Sequence, residues 1–421
     1  MTSPLLTRIA AEHAAALAAQ HAGPQTLAHR RNALQSLLAR GLPSARDENW
    51  RYANLRGLEK ANFTPGTTAA APSAAQLPAP IEGFARFVFV DGLYAPQLSA
   101  APGAIGAATL TRLQDALPTH GQAFALLNEA FATDGADIRV AASDGPVDIE
   151  VIFYSASPAA AYPRLQVRLA PNAVLRLIER HVGSVSTSQF VNSAVHIEVA
   201  DGASCRHYRL QETGAATTWT DTLRASVARD AGYHLHLLQL GALAARTSVD
   251  IELAGPAAQT QIDTVSLADG QQVHDNMIVV EHRAAHTRTQ ENFRGIAADR
   301  ARIGFNGLII VRDVAHHADS AQSLKGLLAG QDAEIDLRPQ LEIHTDEVRC
   351  SHGATTGKLD DTMLFYLLTR GIAPEVAQRL LKWAFITDVV ANIKIPALRT
   401  HIQRSLASRM QDAQSLEELL S

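Results

Sequence analysis

Cysteine is almost missing from this sequence: Cys205 and Cys350 are the only two in 421 residues. One bridge at most could form, so a disulfide framework is excluded, a reducing compartment is implied, and each thiol is a separate question. Aromatic residues are also scarce, at 5%, although 47% of the chain is apolar and much of that is alanine. Tightly stacked, repetitive backbone suits such a composition better than a core built around large rings. There is no basic excess, since 37 Lys and Arg face 42 Asp and Glu for a net charge of -5. Little is left to track a phosphate backbone, which excludes nucleic acid as a main partner. Long uncharged apolar runs are missing too. The most apolar late segment, Ile372 to Ile393, contains Glu375, Gln378, Arg379, Lys382 and Asp388, too polar for a membrane span of about 20 residues. At the N-terminus, Glu12 and His13 interrupt an alanine-rich stretch after Arg8. It reads poorly as a signal peptide, so a cytoplasmic location is expected.

What is present changes texture along the chain. Length allows two or three domains. Residues 4 to 40 carry Leu5, Ile9, Leu17, Leu34, Leu37 and Leu38 at helical spacing, predicting one or two helices. Thr64 to Pro80 is rich in Thr, Ala, Pro and Gly and reads as a linker. Phe84 to Val90 predicts a strand, Asp91-Gly92 a turn, and Leu110 to Phe131 a mostly helical stretch. From about Pro146 to His344 the pattern is short apolar and polar alternation, as in VDIEVIF, AVLRLIER, SCRHYRL and YHLHLLQL. Period two means strands. Ala173, Ala203 and Ala231 open successive strands at steps of 30 and 28 residues, the size of one unit of a solenoid. A parallel β-helix accounts for the small corner residues and the missing rings; a sandwich or barrel is the alternative. After Leu364 helical spacing returns, with Pro374 at a first helical position, Pro396 as a break, a second helix from about Leu398 to Met410, and an amphipathic SLEELL tail. The division expected is 1–139, mostly helical with a linker near 64–80; 140–365, β-helix; and 366–421, helical.

Several histidine pairs invite a metal reading and lose it on spacing. His234 and His236 share a strand face but have no third ligand; His316 and His317 point opposite ways on a strand; His282 and His286 suit a metal only on a helix. Cys205 and His207 read as a packed or surface pair. The segment from Glu342 to Gly371 differs, because Asp346, Glu347, Cys350, His352, Asp360 and Asp361 crowd into it. Cys350 and His352 are two apart, so extended backbone turns thiol and imidazole to one side, suiting a soft metal or a thiolate and imidazolium pair. Two ligands cannot close a tetrahedral site. The rest come from elsewhere in this chain or another, or else Cys350 is a nucleophile with His352 as base and Asp346 or Asp360 as orienter.

The run CSHGATTGKLDDTMLFYLLTRGI, preceded by LRPQLEIHTDEVRC, resembles the C-terminal signature of the SufB/SufD family of iron–sulfur cluster assembly proteins. The resemblance extends to ENFRGI, SLKGLLA and, near the N-terminus, DENWRYANLRGL, and so covers most of the chain. Cys-Ser-His-Gly-Ala-Thr stands here where the SufB branch resembles Glu-His-Glu-Ala-Thr, which favours the SufD branch. The resemblance implies a right-handed parallel β-helix flanked by helical regions, and a non-enzymatic scaffold in a cytoplasmic complex with SufB and the SufC ATPase. It leaves a homodimer of the isolated chain open. Carried over by position, His352 is a metal ligand to a transient iron–sulfur cluster shared with SufB, and Cys350 is the adjacent thiol of the cluster-assembly interface. No cofactor is expected to stay firmly bound to the isolated chain. The C-terminal helices from Ile372 to Met410 are expected to dock the ATPase.

Overall fold

The alternating segments fold into a parallel β-helix in this computed structural model of the chain, which describes all residues except 1–2, 20–22, 67–71, 73–75, 101–102, 114, 184–187 and 411–421. Its strands form two ten-stranded sheets. From Ala136–Val140 onward they alternate along the chain between the sheets, so each coil contributes one strand to each. Ser204 lies beside Val174 on one side and Gly232 on the other, the same steps of 30 and 28 that the small residues mark. Ala173, Ala203 and Ala231 are buried at these corners. Just before them Asn172, Gly202 and Asp230 take positive φ of 62°, 68° and 54°, a conformation that Gly, Asn and Asp adopt at least cost. Their amides bond to the next corner's carbonyls, Asn172 to Asp201 at 2.9 Å and Asp230 to Pro256 at 3.0 Å. Turn residues at fixed spacing thus set the coil length.

Helices α1 (Pro4–Ala19) and α2 (Pro24–Arg40) pack with α3 (Ala123–Phe131) through Ile9, Leu37, Phe124, Leu127 and Phe131, against Tyr162 and Phe190 of the coil. Here the sequence expectation is corrected twice. The stretch from Leu110 is not mostly helical: Ala108–Arg112 is a strand pairing antiparallel with Gly103–Ile105 and Ala136–Val140, and only α3 is helix. Pro118, with His120 and Gly121 at φ 45° and 72°, breaks the segment. The coil also begins before residue 140, because Ala85–Val90 runs parallel to Val147–Ser155 and Ala136–Val140 parallel to Arg164–Leu169. Residues 67–71 and 73–75 of the expected linker and the whole SLEELL tail lie outside the described residues.

At the other terminus come α4 (Asp361–Thr369), α5 (Pro374–Val390) and α6 (Pro396–Arg409), the last two opening on proline. Ile386, Val389, Val390, Leu398 and Ile402 lie on Ile178, Tyr208, Leu238 and Val265. The outer face of one sheet is therefore covered, and strands such as Val174–Gly183 are buried on both faces in their middle. No described helix is long and apolar enough to cross a membrane.

The two ends of the β-helix differ. Short antiparallel strands, Leu93–Tyr94 and Gly103–Ile105, finish the first. At the last, Glu334–Ile343 and Arg349–Gly357 each pair on one side only. Among the described residues both sheets end there in open edges.

Candidate functional site

Cys350 and His352 lie on that last strand. Parallel pairing sets Cys350 beside Ser320 and His352 beside Gln322, and the next residue of this face, Leu324, is in the main core. Both side chains therefore share one face, as their spacing predicts, and that face is the inward one, at a level where no further coil of the described residues lies over them. Cys350 is half-buried against Val311 and Leu341, whereas His352 is exposed. Among the described residues neither side chain has a hydrogen-bond or ion-pair partner within the chain.

The acidic neighbours divide by role. Asp360 caps α4, its Oδ1 accepting from the amides of Thr362 at 2.8 Å and Met363 at 3.0 Å, and Asp361 lies in that helix's first turn. A carboxylate capping a helix N-terminus is engaged electrostatically there. Glu347 instead lies near His316 and His317 at the preceding corner, at 3.8 Å and 3.7 Å. No three His, Cys, Asp or Glu side chains among the described residues form a metal-holding group. A cluster at this edge would need more ligands than the described residues bring together there.

The other histidines and the second cysteine are accounted for by packing. Cys205 is fully buried, and burial pushes its thiol up to about 12, which leaves it inert. His207 binds Glu179 at 2.9 Å and the Tyr233 hydroxyl at 3.0 Å. His236 stacks on Tyr208 beneath the C-terminal helices, and burial lowers it to about 4. His282 is bracketed by the hydroxyls of Thr287 and Thr289. His286 stacks on His317 at the corner, centroids 4.9 Å apart.

Sequence reasoning missed what lies beneath His352. Its ladder continues through Gln322 to Glu291. Gln322 Nε2 donates to Glu291 Oε2 at 2.5 Å, and burial pushes the Glu291 carboxyl up to about 7. The signal was present in ENFRGI, where period two places Glu291 on the buried face of Phe293.

A family model described as SUF system FeS cluster assembly, SufBD core domain, matches residues 151–385, which include both Cys350 and His352. The chain is 30% identical over 396 residues to the iron–sulfur cluster assembly protein SufD of Escherichia coli K12, covering 92% of this chain and 93% of that protein. It is 26% identical over 397 residues to a SufBD family protein of Synechocystis, covering 87% of each. To the SufD of Bacillus subtilis it is 23% identical over 297 residues, covering 69% of this chain and 67% of that one.

Proposed function

Since the chain belongs to the SufB/SufD family of iron–sulfur cluster assembly proteins, on its SufD branch, we propose that it is a non-catalytic scaffold whose open β-helix edge meets SufB to form the assembly site. The observation that supports this reading is the last strand, where Cys350 and His352 share the inward face at an edge with unpaired backbone groups. A second β-helix added to that edge would extend both sheets and close the interior over the two side chains. It would bring a thiol to the imidazole, and the transient cluster would form between the chains. Imidazole is an adequate but more labile ligand for iron than thiolate, which suits a cluster that has to be handed on. Cys350 assists without being the primary sulfur acceptor.

The SufC ATPase docks, on this reading, at the C-terminal helices. The apolar faces of α5 and α6 lie against the sheet, so the face offered to it begins on α4, where Met363, Phe365 and Tyr366 are exposed. Deleting everything after Gly371 is consequently a poor test, because it would uncover the sheet. Paired substitution of Phe365 and Tyr366 by Ser is the better one: co-purification with SufC should fall at least tenfold while the fold is kept, and undiminished co-purification places the docking face elsewhere.

The experiment that decides the reading is His352→Ala in the co-expressed complex. The expected result is an assembled complex with a working ATPase that forms no cluster on anaerobic reconstitution, read by visible absorption. Normal cluster formation would remove the ligand role and leave a metal-free interaction scaffold.

A further inference from the structure

The ladder below His352 contains a second group of polar atoms that the interface reading does not use. Glu291, Gln322 and Ser320 are 1%, 4% and 2% exposed and face the interior of the last two completed coils. Among the described residues, Glu291 Oε1, Gln322 Oε1 and Ser320 Oγ have no hydrogen-bond partner. Nor does any described cation lie beside Glu291, whose one polar contact there is Gln322. A buried carboxyl without a counter-charge is unfavourable, which makes it a candidate for completion by a ligand. The facing wall makes room for this pair. A Cβ on Gly307 of the opposite sheet would lie 2.7 Å from Gln322 Nε2 and 2.8 Å from Glu291 Oε2. Gly307 stands where any other side chain would collide with Gln322 and Glu291.

We propose that Glu291 and Gln322, with Ser320 beside them, form an oxygen-lined pocket for a ferrous ion inside the β-helix, beneath the interface pair. Coils stack about 4.8 Å apart, so Gln322 is one rung and Glu291 two rungs below His352. Carboxylate, amide carbonyl and hydroxyl are hard donors, suited to a divalent ion that keeps part of its water shell and unsuited to a thiophilic one. The amide of Gln322 rotates so that its oxygen faces the ion, and the carboxylate supplies the charge. The pocket would hold iron on the interior side of the edge, with imidazole as the next ligand toward the partner. This inference rests on the edge being an assembly site, and extends it by naming where iron waits.

The test uses the isolated full-length chain under anaerobic conditions, with ferrous ion alone and, as a paramagnetic probe, Mn²⁺. Wild type should take up one ion per chain. Glu291→Gln, which preserves shape, should weaken uptake at least tenfold; Gln322→Glu should tighten it severalfold; His317→Ala, at the exposed corner, should change nothing. Wild-type affinity in Glu291→Gln, or no uptake by wild type, overturns the proposal and leaves the pocket to ordered water. Because no partner or cluster is involved, that failure is separate from the failure of the assembly reading, which His352→Ala in the complex reports.

Discussion

Two carboxyl groups lie inside the same β-helix, Glu179 and Glu291, both fully buried, and their surroundings are opposite. Glu179 is surrounded by cations and donors: Arg209 at 3.1 Å, His207 at 2.9 Å, and His181. Arg209 crosses the interior to Asp221 and Ser193 of the other sheet, at 2.8 Å and 3.0 Å. Against the desolvation of burial, Arg209 and His181 hold Glu179 well below the usual carboxylate range. Glu291 has, among the described residues, one amide for company, and burial pushes it the other way. The first is a tie between sheets in the middle of the solenoid. The second lies next to an edge where the molecule stops. Charge pairing therefore separates the middle of the solenoid from the interior beside its last strands.

The sharpest way to break this comparison is to make the same substitution at both sites. Glu179→Gln leaves Arg209 with a lost partner and should cost about 3–5 kcal/mol, read as a lower urea midpoint. Retained stability would mean that the network is ornamental. Glu291→Gln should do the reverse at pH 8, raising stability by up to about 3 kcal/mol. The folded carboxyl titrates near 7 against an ordinary value of 4.5, and holding it ionised in the fold is unfavourable above that folded value. A loss of stability at pH 8 would show a hidden counter-charge.

Acid should act in the same sense as Glu179→Gln. Burial lowers His274 and His282 from 6.5 to about 4. The unfolded chain binds their protons first, so the stability they contribute is present above pH 6.5 and is lost as pH falls toward 4, by about 3 kcal/mol for each at the limit. Urea midpoints measured between pH 7 and 4.5 should drop steadily, and His282→Gln should flatten the slope. An unchanged slope would assign the acid sensitivity to other groups. The smallest effect expected is from Asp360→Ala, which removes the α4 cap and should cost about 1 kcal/mol, seen as local loss of helicity with coil stability unaltered.

Period two and the spacing of small residues made the β-helix legible, because both are consequences of stacking one coil on the next. That Cys350 and His352 share a face was legible for the same reason, though not that the face is the inward one. What escaped was anything decided by covering. In AVLRLIER and SCRHYRL period two puts Glu179 on the face of Leu175 and Leu177, and Arg209 on that of Cys205 and His207, but names no partner for either charge; both are interior, and Arg180 is buried on the outer face where it binds Glu150 at 3.1 Å. No period distinguishes a polar residue on a wet face from one that is paired and enclosed. The helix boundary before α3 failed differently: Leu and Ala at 110–131 support helix and strand alike, and antiparallel pairing with Ala136–Val140 chose strand for Ala108–Arg112.

The two open edges are not equally guarded. The strand Glu334–Ile343 carries Glu334, Asp336, Arg338, Pro339 and Glu342, charges and a proline that discourage chance pairing. Arg349–Gly357 has one arginine at its start and then small or neutral residues. A cell that makes this chain in excess over whatever caps it leaves nine residues of adhesive backbone in circulation. Were the proposed partner to pair there, matched synthesis of the two polypeptides would be a matter of colloidal hygiene as much as of assembly.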